Sequence, residues 1–93
     1  MKPEHFVGWQ DVPANYTGVV VLLILGEIRH LKNGKLHRLD GPAQIFTRRI
    51  ASSNITSVYW LNGNVVSKQN YYRFPAVIEE KIKKITEETL TTN

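Results

Sequence analysis

The sequence predicts a small α+β domain: an antiparallel β-meander of about five strands built from Asn-Gly hairpins, with one or two C-terminal helices. Three observations predict it. Asn33-Gly34 and Asn62-Gly63 each lie between β-prone residues, and such pairs tolerate the positive φ angles that type I′ hairpin turns require. Val19 to Leu25 is an unbroken apolar run of seven residues, the length of a buried strand and far short of the roughly 20 needed to span a membrane. Val77, Ile78, Ile82 and Ile85 recur at helical spacing with Glu79, Glu80, Lys83, Lys84 and Glu87 between and beyond them, the pattern of an amphipathic helix. Residues 1–93 then form one domain. It has an irregular N-terminal segment (1–18), a meander (19–66) and a helical segment (67–90).

The first segment holds Pro3, Gly8, Pro13 and Gly18 with Phe6, Trp9 and Tyr16. Its spacing is too irregular for a helix, so it reads as a loop or short strand laid across the core and pinned by Trp9. Val19 to Leu25 lacks alternation, which predicts a central strand buried on both faces; Gly26 then marks a bulge or bend. A two-residue turn at Asn33-Gly34 sets a register that pairs Lys32 with Lys35, Leu31 with Leu36 and His30 with His37. The same register continues to Arg29 opposite Arg38 and Ile28 opposite Leu39. Asp40-Gly41-Pro42-Ala43 is turn chemistry. Gln44 to Thr47 is the third strand, Arg48 to Asn54 a polar loop or hairpin tip, and Ile55 to Leu61 the fourth strand. Asn64 to Val66 is the fifth, setting Trp60 against Val65 and Tyr59 against Val66. Ser67 caps a short helix through Tyr72, and Pro75 suits the first turn of a second.

Composition narrows the chemistry. The chain has no cysteine, which removes disulfides, thiol catalysis and zinc-thiolate sites. The N-terminal Met1-Lys2-Pro3-Glu4-His5 has no adjacent apolar stretch, so no signal peptide and a cytoplasmic location are expected, with no membrane partner. The net charge of +4 is unevenly placed: Arg29, Lys32, Lys35, Arg38, Arg48 and Arg49 are opposed in that stretch by Asp40 alone.

The string Asn33-Gly34-Lys35-Leu36-His37-Arg38, then Asp40-Gly41-Pro42-Ala43, is followed by Tyr59-Trp60-Leu61-Asn62-Gly63. It resembles the NGK-HR-DGPA repeat of small phage and bacterial proteins, which is similar to the variant MORN-type repeats of antitoxin-like proteins. The resemblance covers roughly residues 28 to 78. It implies a non-enzymatic protein-interaction module, phage-encoded, that binds and inhibits a host or bacterial defence or toxin protein. The second unit departs after Gly63, where Asn64-Val65-Val66-Ser67 replaces the Lys-x-His-Arg of the first. Its Asn-to-Pro spacing is also longer, 62 to 75 against 33 to 42. The four extra residues are one helical turn, as in a terminal unit that has exchanged its return strand for a helix.

Two surfaces are candidates. A basic hairpin of Arg29, Lys32, Lys35, His37, Arg38, Arg48 and Arg49 has the cations for nucleic-acid or nucleotide binding. Tyr71 and Tyr72, with Ile82 on the second helix, could make an aromatic and apolar contact patch for a protein, one tyrosine packing on the sheet and the other free for the partner. A small RNase-like enzyme using His37 and Asp40 beside Arg38 is a third reading, but Asp40 is more simply the residue that shapes the turn. His30 and His37 share a face without a third ligand at metal spacing, so no metal or cofactor is expected. The apolar stripe leaves a monomer and a homodimer equally open.

Overall fold

The computed structural model describes residues 2–47 and 56–91. Seven strands form one mixed sheet, β1 (Glu4–Phe6), β2 (Gly18–Leu22), β3 (Glu27–Lys32), β4 (Lys35–Leu36), β5 (Gln44–Phe46), β6 (Ser57–Leu61) and β7 (Asn64–Val66). Two helices follow, α1 (Lys68–Tyr71) and α2 (Pro75–Thr91). The strand order is β1-β2-β3-β5-β6-β7, with β4 also paired to β3. Both Asn-Gly turns are of the predicted kind, with φ of 51° and 80° at Asn33 and Gly34 and 51° and 82° at Asn62 and Gly63. Arg48, Arg49 and Ile55, assigned from sequence to a loop and a strand start, lie outside the described residues.

Most pairs are antiparallel, but β1 runs parallel to β2, with Glu4 opposite Val20 and Phe6 opposite Leu22. The meander from β2 to β7 is antiparallel as expected; the all-antiparallel sheet is corrected outside it, in the N-terminal segment, where β1 lies parallel to β2. The chain between them is long enough to cross back, which a tight hairpin is not, and a 3₁₀ turn at Trp9–Asp11 folds within it. The apolar run is also corrected. Val20 and Leu22 are fully buried while Val19 and Val21 are half-buried, and Leu23, Ile24 and Leu25 stand exposed in a turn. That turn is closed by Gly26 N–H donating to Leu22 O at 2.9 Å, with Leu23 and Ile24 amides bonded to Phe6 O and Val7 O.

The first hairpin keeps the expected register at Lys32/Lys35 and Leu31/Leu36, and His37 N–H donates to His30 O at 3.0 Å. Beyond it the expectation fails: Arg29 pairs with Gln44 and Ile28 with Ile45, not with Arg38 and Leu39. The Asp-Gly-Pro segment causes the exchange. It carries the chain away from β3 and brings Ala43 O back onto His30 N–H at 2.7 Å.

Cross-strand partners share a face and neighbours alternate, so the register places two cores on opposite sides. One is Val20, Leu22 and Leu31, covered by Phe6, Val12, Tyr16 and Leu36. Trp9 does not pin it. Its ring is partly exposed with the Arg29 guanidinium 4.7 Å from its centroid. The other core is Leu61, Tyr71 and Val77, with Leu39, Tyr59 and Val66 packed around them. Buried Glu27 is satisfied within the first face, accepting from Arg29 Nε at 3.1 Å and from Gln44 Nε2 at 2.7 Å, while Trp60 Nε1 donates to Gln44 Oε1 at 3.1 Å. A carboxylate so placed costs little because it is both paired and hydrogen-bonded.

Candidate functional site

The His-Arg-Asp-Gly-Pro stretch folds into a structural hub. Arg38 Nε donates to Asp40 at 2.8 Å and its Nη1 to Pro42 O at 3.1 Å. Tyr71 reaches in from α1, its hydroxyl donating to Arg38 O at 2.6 Å and accepting from Gly41 N–H at 3.1 Å. Lys84 of α2 pairs with the second Asp40 oxygen. His37 Nδ1 accepts from Asn62 N–H at 3.0 Å, which ties the first unit to the second.

Electrostatics follow from this geometry. Burial opposes ionisation of Asp40, but hydrogen bonds and charge from Lys84 and Arg38 outweigh it and hold its carboxyl down at about 2. Such a carboxylate stays ionised and neither gives nor takes protons near neutrality. Burial, then the Arg38 charge, keeps His30 below the usual imidazole range; burial and Lys32 do the same for His37. Among the described residues no three His, Asp or Glu side chains converge on a metal position.

A pH dependence follows with a definite sign. Because Asp40 titrates lower in the fold than in the unfolded chain, its contribution is complete above about pH 4 and is lost as pH falls through about 2. The pair is partly solvated, so screening reduces the contribution to about 1 kcal/mol. Urea titrations should show Asp40→Asn about 1 kcal/mol less stable than the parent at pH 7, with the gap closing toward pH 2. A gap that stays constant with pH would disprove this assignment.

Among the described residues the cations of the basic hairpin are not brought together as one surface. Arg29 is stacked on Trp9 and paired with Glu27, Arg38 is committed to Asp40 and Pro42, and His37 to Asn62. Lys32 and Lys35 remain side by side at the exposed tip, while Arg48 and Arg49 lie outside the described residues. Of the two tyrosines, one packs and one is free, as expected: Tyr71 is fully buried and drops out of the contact patch, whereas Tyr72 is exposed and meets Tyr59 with hydroxyls 3.4 Å apart.

The second helix differs most from an ordinary core helix. Of its apolar side chains Val77 is buried, but Ile78, Ile82 and Ile85 are 43%, 59% and 52% exposed. A groove of about 440 Å³ runs between this helix and the hub, lined by Leu39, Tyr72, Val77, Lys81 and Ile85. A larger groove of about 620 Å³ borders β7 and the α1–α2 junction. Val65 and Phe74 stand exposed there; Val65 is hidden as a surface residue in the sequence because its place opposite Trp60 reads as a packed cross-strand pair. No protein-family model, curated protein or solved structure matches the chain.

Proposed function

We propose that this chain is a non-enzymatic protein-interaction module that binds its partner along α2. The observation that carries the reading is the exposed row Ile78, Ile82 and Ile85 on a helix that buries Val77 in the second core. At 1.5 Å per residue the helix extends about 25 Å, and packing an apolar face is what normally stabilises such a helix. Glu79, Lys81 and Lys83 lie beside the row, which suits a partner whose apolar strip is bordered by charges of both signs. The repeat resemblance supports a host or bacterial protein met in the cytoplasm as partner, and inhibition as the outcome.

Affinity capture from bacterial lysate tests it. A stoichiometric protein should be retained, and Ile82→Glu should reduce retention at least tenfold without lowering the melting temperature, since the side chain is exposed. Capture indifferent to Ile82→Glu would remove α2 as the surface. Salt-sensitive retention of nucleic acid, lost on Lys32→Glu with Lys35→Glu, would replace the reading with the basic-tip alternative. A scattering mass of twice 10.7 kDa that reverts on Ile82→Glu would make the partner a second copy.

A further inference from the structure

The two Asn-Gly turns are seated alike. Gly34 N–H donates to Tyr16 O at 2.9 Å, and Gly63 N–H to Leu36 O at 2.8 Å. Asn33 N–H donates to the Thr17 hydroxyl at 2.9 Å, and Asn62 N–H to His37 Nδ1 at 3.0 Å. Gly18 pairs with Leu31, and Arg38 N–H donates to Trp60 O at 3.3 Å. Each turn therefore sits on a three-residue seat, Tyr16-Thr17-Gly18 for the first and Leu36-His37-Arg38 for the second. The first residue offers its carbonyl to the turn glycine. The second offers a side-chain acceptor to the turn asparagine, and the third pairs with the residue two before that asparagine.

Aligning Asn62-Gly63 on Asn33-Gly34 places Val65-Val66-Ser67 where Leu36-His37-Arg38 stands. The β6–β7 register pairs Tyr59 with Val66, Trp60 with Val65 and Leu61 with Asn64. In a two-residue hairpin the bonded pairs alternate, so the Val65 amide and carbonyl face the outer edge, as the Leu36 carbonyl does. Ser67 is extended, with φ −65° and ψ 151°, which turns its amide to the same side. Val65 is 63% exposed, and the groove beyond it is walled by Asn70, Arg73, Phe74 and Pro75.

We propose that Val65-Val66-Ser67 is a third seat, and that its occupant is an Asn-Gly hairpin tip carried by a partner protein. This surface is separate from the exposed face of α2. A second copy of the chain is excluded as donor, because both of its own tips are already seated on Tyr16 and Leu36. Recognition is by strand-edge hydrogen bonds, with apolar cover from Val65 and Phe74. The seat lacks one acceptor, since Val66 stands where Thr17 and His37 supply theirs.

The test is an amide-resolved NMR titration of the intact protein with a backbone-cyclised peptide of residues 57–66, its hairpin verified by cross-strand contacts. Saturable shifts should centre on Val65, Val66, Ser67 and Phe74. Replacing the peptide's tip glycine by N-methylglycine, which removes the donating amide, should weaken binding at least tenfold. Val66→Thr should tighten it several-fold by restoring an acceptor, and Val65→Pro should abolish it by blocking the edge. No shift at millimolar peptide overturns the proposal, as does equal binding of the N-methyl peptide. Shifts centred on α2 and lost with Ile82→Glu would overturn it too, placing the peptide on the helix instead. Shifts that grow with protein concentration alone would overturn it by assigning the edge to self-association.

Discussion

Gly34→Ala should destabilise the protein by about 2–4 kcal/mol, and Gly63→Ala by about 1 kcal/mol, although the two turns are nearly superimposable in φ. A left-handed backbone costs an alanine roughly 1 kcal/mol relative to glycine at either position. The difference comes from what the turn touches. A Cβ on Gly34 would overlap the Ala14 carbonyl oxygen, whereas on Gly63 it would meet the Lys35 side chain at an ordinary 3.5 Å. Backbone cannot swing aside as a lysine stem can, so Gly34→Ala must lift the turn from its seat and adds an overpacking cost of about 1–3 kcal/mol. Equilibrium urea unfolding of both variants decides this. Equal losses would show that the Ala14 carbonyl is not a rigid platform under the first turn, and would weaken the seating geometry from which the third seat follows.

Both turns were legible in sequence because the Asn-Gly signal is local: two residues and their φ requirement suffice. The α+β class was legible for the same reason, through those turns, the unbroken apolar run from Val19 and the 3.6-residue period of α2. Register held as far as His37 and then failed, because the exchange from β4 to β5 depends on Ala43 returning to His30, a contact no local pattern encodes. The parallel β1 was hidden because three residues, Glu4 to Phe6, carry no direction of their own. At the candidate surfaces, residue type misled in both directions. Arg29 and Arg38 look like free cations but have acidic partners two residues away, at Glu27 and Asp40. Ile78, Ile82 and Ile85 look like core, yet the small second core is filled by Leu61, Tyr71 and Val77 before they reach it.

Tyr71→Phe should cost about 2–3 kcal/mol, a large loss for the removal of one oxygen atom. The ring would stay, so the packing against Leu61 and Val77 and the contact with Tyr59, at 4.6 Å between centroids, would survive. What goes is a hydroxyl that serves two main-chain groups of the hub, the Arg38 carbonyl and the Gly41 amide. Gly41 is buried, so its amide would lose its partner away from water, at about 1–3 kcal/mol for an unsatisfied group. Tyr71→Ala adds the cavity of a fully buried aromatic, about 3–5 kcal/mol, and should leave little folded protein. Hydrogen exchange separates the two causes. Loss of the hydroxyl should accelerate exchange at Gly41 far more than at Val20 or Leu22, which belong to the core on the opposite face. A uniform acceleration equal to the global loss would mean that the hub opens only when the whole domain unfolds. Local acceleration at Gly41 would instead show that Tyr71 clamps the Asp-Gly-Pro segment, and with it the Asp40 carboxylate that holds the middle of α2 through Lys84.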